Sequence, residues 1–440
     1  MLNDTIVAIA SGQVNQAISI IRISGDNAFQ IMEQIFSGKI GKSQQITYGW
    51  IHDKGQKIDE VLVLWFEGSK NFVGQPTVEI NAHGGVLNTN IILELILSTK
   101  LARLANPGEF SMRSFLNGKM DLVKAQAIND LIHAQTRSQH SLALKQFEGH
   151  TSKYISELIV DLEAIIGIIE VNIDYPEYDD VEEMTSQILL PTIDKLEQKF
   201  ANLLERANRS RLIFEGIKVT IVGVPNSGKS SLLNALLKEN KAIVSEIAGT
   251  TRDVVEGNFQ IDNILFKVSD TAGIRKAKDQ IEQIGIQKAF EQISKNDLII
   301  HVIDSQKGFD KTDQEIASTI TNQVYIQVYN KADLIEAKQK NQIYISAKND
   351  EIETLISEIK KKYHFLQIDD DFVSNTRQIS QIRMALISLK EAKIALLNNL
   401  GPDVAIVDIR QAWKDLKSIL GQADDEDLLD SIFSNFCLGK

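Results

Sequence analysis

The sequence predicts three folding units: an α+β domain at the N-terminus, an all-α helical domain, and an α/β domain inserted into the helical one. Three observations lead there. Short β-rich runs alternate with helical patterns as far as Gly118. Helical periodicity then runs from Asp121 to about Arg211 and returns at Arg377. Between those two helical stretches lie apolar strands that open into polar loops. The expected boundaries are 1–118 for the first unit, 119–213 with 375–440 for the discontinuous helical unit, and 214–370 for the insert.

In the first unit, Ile6–Ala10, Ala17–Ile23, Ile46–Ile51, Glu60–Phe66 and Thr77–Ala82 read as strands, and Ala28–Phe36 and Val86–Leu104 as helices. In the helical unit Leu122, Ile128, Leu131, Ile132, Leu142 and Leu144 recur at helical spacing, followed by Leu158, Leu162, Ile165 and Ile166. The acidic, proline-containing Asp174–Glu183 interrupts that pattern. After the insert it resumes in Ile379–Leu397, Val404–Leu420 and Leu428–Phe433, so the halves on either side of the insert are expected to pack together. No internal repeat or low-complexity tract is evident.

The chemistry concentrates in the insert. Gly223-Val224-Pro225-Asn226-Ser227-Gly228-Lys229-Ser230 follows the apolar run Ile217–Val222 and opens a helix. A glycine-rich turn in that setting points backbone N–H groups inward, Lys229 adds positive charge, and the Ser230 hydroxyl suits Mg²⁺. This is a P-loop for a nucleoside triphosphate. Val268–Gly273 ends another apolar run with Asp270, placed to hold Mg²⁺ through water, and with Gly273, whose amide senses the γ-phosphate. Asn330-Lys331-Ala332-Asp333 follows Val324–Val328. The Asp333 carboxylate can accept both N–H groups of a guanine edge, and Asn330 can bond the base or tether the loop. Ser346-Ala347-Lys348 completes the base pocket. The insert is therefore expected to be a P-loop GTPase domain.

Between the P-loop and Asp270 lies Gly249-Thr250-Thr251-Arg252-Asp253, where Thr251 is placed to close over the γ-phosphate and ligate Mg²⁺. The segments expected to touch nucleotide are Asn226, Ser227, Gly228, Lys229, Ser230 and Ser231; Ser245, Glu246, Ile247, Ala248, Gly249, Thr250 and Thr251; Asp270, Thr271, Ala272 and Gly273; and Asn330, Lys331, Asp333, Ser346, Ala347 and Lys348. After Asp-x-x-Gly, where many signalling GTPases carry a water-orienting glutamine, stands Ile274, which cannot hydrogen-bond. Glu282, a few residues on, is a carboxylate near enough in sequence to swing in and activate water, and an exposed helix glutamate is the plainer reading of it. Asn226 sits where an arginine finger's charge would otherwise be wanted. Its amide oxygen, with carbonyls near Ser245 and Ile247, can ligate K⁺ in place of that charge.

Composition fits this reading. A chain of 440 residues with 43% hydrophobic and 24% charged residues holds two or three domains. A single cysteine excludes an internal disulfide and a cysteine-rich zinc site. No charged-then-apolar leader and no run of eighteen apolar residues is seen, so a soluble, cytoplasmic protein with no membrane partner is expected. The net charge of −12 argues against coating nucleic acid by bulk electrostatics, so any RNA contact is focal or made through a partner.

Asp4-Thr5-Ile6-Val7-Ala8, Arg22-Ile23-Ser24-Gly25, His83-Gly84-Gly85, Pro107-Gly108-Glu109-Phe110, Phe115-Leu116-Asn117-Gly118-Lys119, the P-loop with Asn226, Gly249–Asp253, Asp270–Gly273 and the terminal Phe436-Cys437-Leu438-Gly439-Lys440 form a recognisable set. On these segments the chain resembles the bacterial tRNA-modification GTPase family MnmE (TrmE) over essentially its whole length. It implies a homodimer formed through a folate-binding N-terminal domain. It also implies a flavoprotein partner of the MnmG (GidA) type, carrying FAD, in a heterotetramer. Together these add an aminomethyl-type group, such as carboxymethylaminomethyl, at C5 of the wobble uridine of certain tRNAs. Further implications are GTPase domains that pair when K⁺ is bound, with Glu282 positioned by that pairing, and a tetrahydrofolate one-carbon derivative held by Arg22, Glu79, Lys119 and Lys440. The implied K⁺ ligands are Asn226, Ser245, Ile247 and Thr250, and the implied Mg²⁺ ligands Ser230 and Thr251; where the family often has threonine, Ser245 serves through its carbonyl. In physical terms Arg22 or Lys119 suits a folate's carboxylates and Glu79 its pterin edge. Cys437 stands either as a catalytic nucleophile or as a packed, inert residue beside Phe436 and Leu438. Only Gly12 remains of a glycine-rich turn common in the family, in Ser11–Gln16, so a reshaped turn near the folate pocket is expected. Two other functions stay open: a ribosome-assembly GTPase, which would normally carry a basic appendage that this chain lacks, and a regulatory switch without one-carbon chemistry.

Overall fold

The computed structural model describes residues 4–174, 186–239, 257–268, 296–366, 373–422, 426–434, 436 and 439. The N-terminal unit begins with alternating runs that pair as a six-stranded sheet. Strands β1 (Ile6–Ile9), β2 (Ile18–Ser24), β3 (Gln45–Asp53), β4 (Gln56–Phe66), β5 (Thr77–His83) and β6 (Arg103–Leu104) lie in the order β3-β4-β5-β2-β1-β6. All pairs are antiparallel except β1 with β6. Period-two alternation sends Val7, Ile21, Ile23, Val61, Val63, Val78 and Ile80 to one face, where helices α1 (Ala28–Ile35) and α2 (Val86–Ser98) close the core. The helix expected over Val86–Leu104 ends at Ser98. Lys100 there takes a left-handed φ of 58°, and Arg103–Leu104 turns back to pair with β1. A helix that the periodicity did not reveal, α3 (Glu109–Leu116), follows Gly108, whose φ is 68°. Its Glu109 and Arg113 are both buried and paired at 2.8 Å.

The helical unit contains α4 (Leu122–His133), α5 (Arg137–Phe147), α6 (His150–Asp174) and α7 (Ser186–Glu215). Beyond the insert come α11 (Thr376–Leu397), α12 (Pro402–Leu420) and α13 (Glu426–Phe433). Local signals explain the ends. Asp121 caps α4 through the Lys124 N–H, Thr136 and Gln139 form a capping box on α5, and α12 begins with Pro402 and stops at Gly421. One apolar core joins Ile155, Leu162 and Ile169 of α6 and Leu189, Leu196 and Leu203 of α7 to Ile382 and Leu389 of α11 and Ile409 and Leu416 of α12. The two halves flanking the insert therefore bury a common surface.

The insert is a second six-stranded sheet: β7 (Ile217–Val222), β8 (Asn258–Ile261), β9 (Ile264–Val268), β10 (Leu298–Asp304), β11 (Val324–Asn330) and β12 (Ile343–Tyr344), in the order β12-β11-β10-β7-β9-β8. It is parallel apart from the β8–β9 pair. Helices α8 (Lys229–Glu239), α9 (Lys311–Ser318) and α10 (Glu353–Tyr363) accompany it. The strand order reverses between β9 and β10, on either side of β7, and ligands bind beyond the carboxyl ends of strands at such a point. The C-terminal segment crosses to the N-terminal unit, where Phe433 and Phe436 pack with Leu122, Ala125 and Phe115. Among the described residues no helix is long and apolar enough to cross a membrane.

One group in the helical unit is buried against its chemistry. Asp130 of α4 is 8% exposed, and burial alone pushes its carboxyl up to about 7. A folded-state pKa above the unfolded value gives stability that is complete below about pH 4 and lost as pH rises through about 7. Asp130→Asn is therefore expected to stabilise the chain by up to about 4 kcal/mol at pH 8 and to change it little at pH 4. Thermal melts at both pH values check this, and an equal shift at both would contradict it.

Candidate functional site

The P-loop leaves the central strand β7 at Gly223. A Cβ there would stand 2.2 Å from the Val302 carbonyl of β10, and the residue's φ is 142°. The loop ends at Gly228, with φ of 101°, where a Cβ would stand 2.0 Å from Asn330 Nδ2. Close approach at both ends requires glycine. The Lys229 ammonium donates to the Gly223 and Val224 carbonyls, at 2.9 Å each, which aims its charge across the loop. Burial lowers its pKa, against the opposing field of Asp313. Asn226 is exposed and left-handed, with φ of 64°, at the tip of the loop. Ser230 and Ser231 lie exposed in the first turn of α8, where the helix N-terminus favours an anion and the Ser230 hydroxyl suits a hard cation. Ser227 is buried, and its Oγ has no partner among the described residues.

The base loop is tied directly to the phosphate loop. Asn330 donates from Nδ2 to the Ser227 carbonyl at 2.9 Å and accepts at Oδ1 from the Ala347 N–H at 3.0 Å. The Ser346 hydroxyl donates to Asp333 Oδ1 at 2.7 Å, and that bond holds the exposed Asp333 carboxyl below its usual range. Lys331 takes a left-handed φ of 63° and pairs with Asp304 at 2.6 Å. Burial pushes Asp304 up, but the Lys331 ammonium outweighs it and the group stays ionised. Ser305 bonds the Asn330 carbonyl at 2.6 Å. Lys348 is exposed at the edge of this loop.

Sequence reasoning missed Asp304 and Ser305, although Asp304 closes an apolar run in the sequence just as Asp270 follows one. It also missed the buried pair of His301 Nε2 with Asp313 Oδ1, 2.9 Å apart and held at Nδ1 by the Tyr325 hydroxyl at 2.8 Å. Ser245, Glu246, Ile247, Ala248, Gly249, Thr250, Thr251, Asp270, Thr271, Ala272, Gly273 and Glu282 lie outside the described residues, as do Cys437 and Lys440.

A second cluster lies in the N-terminal unit. Arg22 of β2 and Glu79 of β5 face each other in register, with Nε and Oε1 2.7 Å apart. Arg22 also donates to the Gly439 carbonyl at 2.9 Å and lies over the Phe110 ring at 5.5 Å. Its charge is thus already partnered. Among the described residues of this set, the exposed Lys119, whose stem runs past Gly74, is the open cation. A Cβ at Gly439 would stand 2.6 Å from the Ile9 carbonyl, so the tail is seated against β1. The Ser11–Gln16 turn is held by the Gln16 N–H on the Gly84 carbonyl at 2.7 Å.

With a glycine loop at the reversal point of a parallel sheet, bridged to a guanine-type loop, the insert has the fold of a P-loop GTPase. Residues 5–119 match the family described as GTP-binding protein TrmE N-terminus, and residues 122–437 match the MnmE helical domain. The chain is 64% identical over 443 residues to the tRNA modification GTPase MnmE of Mesomycoplasma hyopneumoniae strain 232, covering all of both chains. It is 53% identical to that of Mycoplasmopsis pulmonis strain UAB CTIP, over 99% of this chain and all of the relative. To that of Lactococcus lactis subsp. cremoris strain SK11 it is 41% identical, over 99% of this chain and 98% of the relative. The chain belongs to the tRNA modification GTPase MnmE family.

Proposed function

We propose that this protein is a GTP-hydrolysing, tRNA-modifying enzyme in which hydrolysis at the P-loop drives chemistry at the N-terminal cluster. The observation that carries this reading is the Asn330 bridge. It joins the loop that would hold phosphates to the loop that would read guanine, within one hydrogen-bonded unit. Lys229 and the N–H groups at the start of α8 bind the β- and γ-phosphates, Asp333 accepts from guanine, and Ser230 with Thr251 would hold Mg²⁺, which would neutralise phosphate charge. Asn226, Ser245, Ile247 and Thr250 would hold K⁺ as a substitute for an arginine finger's charge. Glu282 orients the attacking water.

The wider function is a carboxymethylaminomethyl-type addition at C5 of the tRNA wobble uridine, with a flavoprotein partner bearing FAD and a tetrahydrofolate one-carbon donor, in the cytoplasm. Glu79 supports the donor site, because Arg22 engages only one of its carboxylate oxygens and the second has no partner among the described residues. A homodimer is supported by the sheet face that carries this pair. On the same face Ile18, Ile46, Tyr48 and Leu62 are between 48% and 64% exposed, an apolar surface suited to a second copy. The shared core of α6, α7, α11 and α12 supports domain limits of 119–213 with 375–440 around an insert of 214–370.

The test is GTP turnover in K⁺ and in Na⁺ at matched ionic strength. Turnover is expected to be at least tenfold faster in K⁺; equal rates would reject the cation site. Glu282→Ala is expected to leave nucleotide affinity intact and to lower turnover about a hundredfold. Retained turnover in that variant would remove Glu282 from the mechanism.

A further inference from the structure

The insert is rooted where the chain leaves α7 at Phe214–Gly216 and returns at Val373–Thr376. Helix α5 grips both strands of this root. Gln139 Nε2 donates to the Phe214 carbonyl at 2.7 Å, and Gln146 Nε2 donates to Ser374 Oγ at 2.8 Å. Thr376 bonds Glu215 across the root. Leu142 of the same helix is part of the insert's own core, together with Ile213.

Just inside the root, two opposite charges are buried without each other. The Arg377 guanidinium, in the first turn of α11, donates to the carbonyls of Ser418 and Ile419 at 2.9 Å each and to Gln126 Oε1 at 3.2 Å. Its Nε has no partner and no carboxylate touches it among the described residues. Burial pulls it down to about 10. Asp130 lies one helical turn beyond Gln126 on α4, and its Oδ2 has no partner among the described residues. Residues four apart on a helix share a face, so the neutral acceptor that Arg377 now uses and the unused anion are neighbours. A buried charge left without its counter-ion is strongly unfavourable, and bringing the two together relieves both. The displacement required is about one turn, or about 5.4 Å, a step that packed helices take between discrete arrangements.

We propose that Asp130 and Arg377 form a salt bridge in a second arrangement of this root, adopted when the GTPase domain closes for hydrolysis, and that the pair positions that domain. The inference rests on the GTP turnover proposed above. Helix α4 also contacts the far site. Its Leu122 and Ala125 pack on Phe433 and Phe436, in the segment whose Gly439 carbonyl bonds Arg22. A shift of α4 against α11 therefore bears on both centres.

The test is a double-mutant cycle with Asp130→Asn, Arg377→Gln and the double variant, read in two states. In nucleotide-free thermal melts the single effects should add, because the side chains do not touch there. In GTP turnover each single should lower kcat about tenfold and the double no further, with KM little changed. Arg377→Lys, which keeps the cation, should restore most of the turnover lost in Arg377→Gln. Turnover losses that multiply to about a hundredfold, or non-additive melts without nucleotide, would overturn the inference. If Arg377→Gln does not fold, Arg377→Lys at wild-type stability but with the full tenfold loss would overturn it too. A wild-type chain without GTP turnover would overturn the proposed function itself.

Discussion

Replacing Asp333 with Asn is expected to lower kcat/KM for GTP by at least a hundredfold and to raise it for xanthosine triphosphate by a similar factor. Ser346 engages only Oδ1, so Oδ2 and the ionised charge are left to face the base. Guanine presents N1–H and an exocyclic amine on its Watson–Crick edge, two donors that a carboxylate accepts. An amide in that place sets an NH₂ group against the amine, leaving donors unpaired on both sides. Xanthine carries a carbonyl where guanine carries the amine and so accepts from that NH₂. Sites built on such matched hydrogen bonds discriminate by several orders of magnitude, because the wrong partner leaves polar groups unsatisfied. Competition kinetics with the two nucleotides measure the change. An unaltered preference would remove Asp333 from the base pocket.

Lys229→Ala is expected to lower turnover about a thousandfold while the melting temperature moves by only a few degrees. The ammonium rests on two loop carbonyls, so it costs the free protein little and is already aimed where phosphate charge gathers. Truncating a charged partner inside a phosphate site removes a charge-assisted hydrogen bond and the electrostatic stabilisation of the developing charge. Nucleotide binding by calorimetry and turnover by phosphate release measure the two effects separately. Turnover within threefold of wild type would mean that phosphates are held elsewhere.

Much of this site was legible because its chemistry imposes local rules. Gly228 has to be glycine, since Asn330 Nδ2 occupies the space a side chain would take. Asn330 could be read as a tether from its place after a strand, and its bonds to Ser227 and Ala347 have that form. The lysine and serine after Gly228 announce themselves by spacing alone. The helical halves were equally legible from periodicity, because each buries a continuous apolar stripe.

Pairings between distant residues left no such trace. Arg22 meets Gly439 across 417 residues and Arg377 meets Gln126 across 251, and neither pair carries a spacing rule. Lys331 reads as part of a base-binding motif, yet its charge is spent on Asp304, which only the register of β10 with β11 brings near. The misplaced end of α2 has a similar origin. Apolar residues continue past Ser98, and a parallel pairing of Arg103–Leu104 with Ile6–Val7 claims them instead. Local propensity yields there to a tertiary partner.

The most direct test joins the two centres in one experiment. Wobble nucleosides from tRNA of cells lacking this chain are analysed by mass after return of the wild type or of Lys229→Ala. The wild type should restore the C5-modified uridine and the variant should leave it missing, although the variant is folded and present at equal level. Full restoration by Lys229→Ala would show that modification proceeds without the P-loop, and the coupling proposed here would fall.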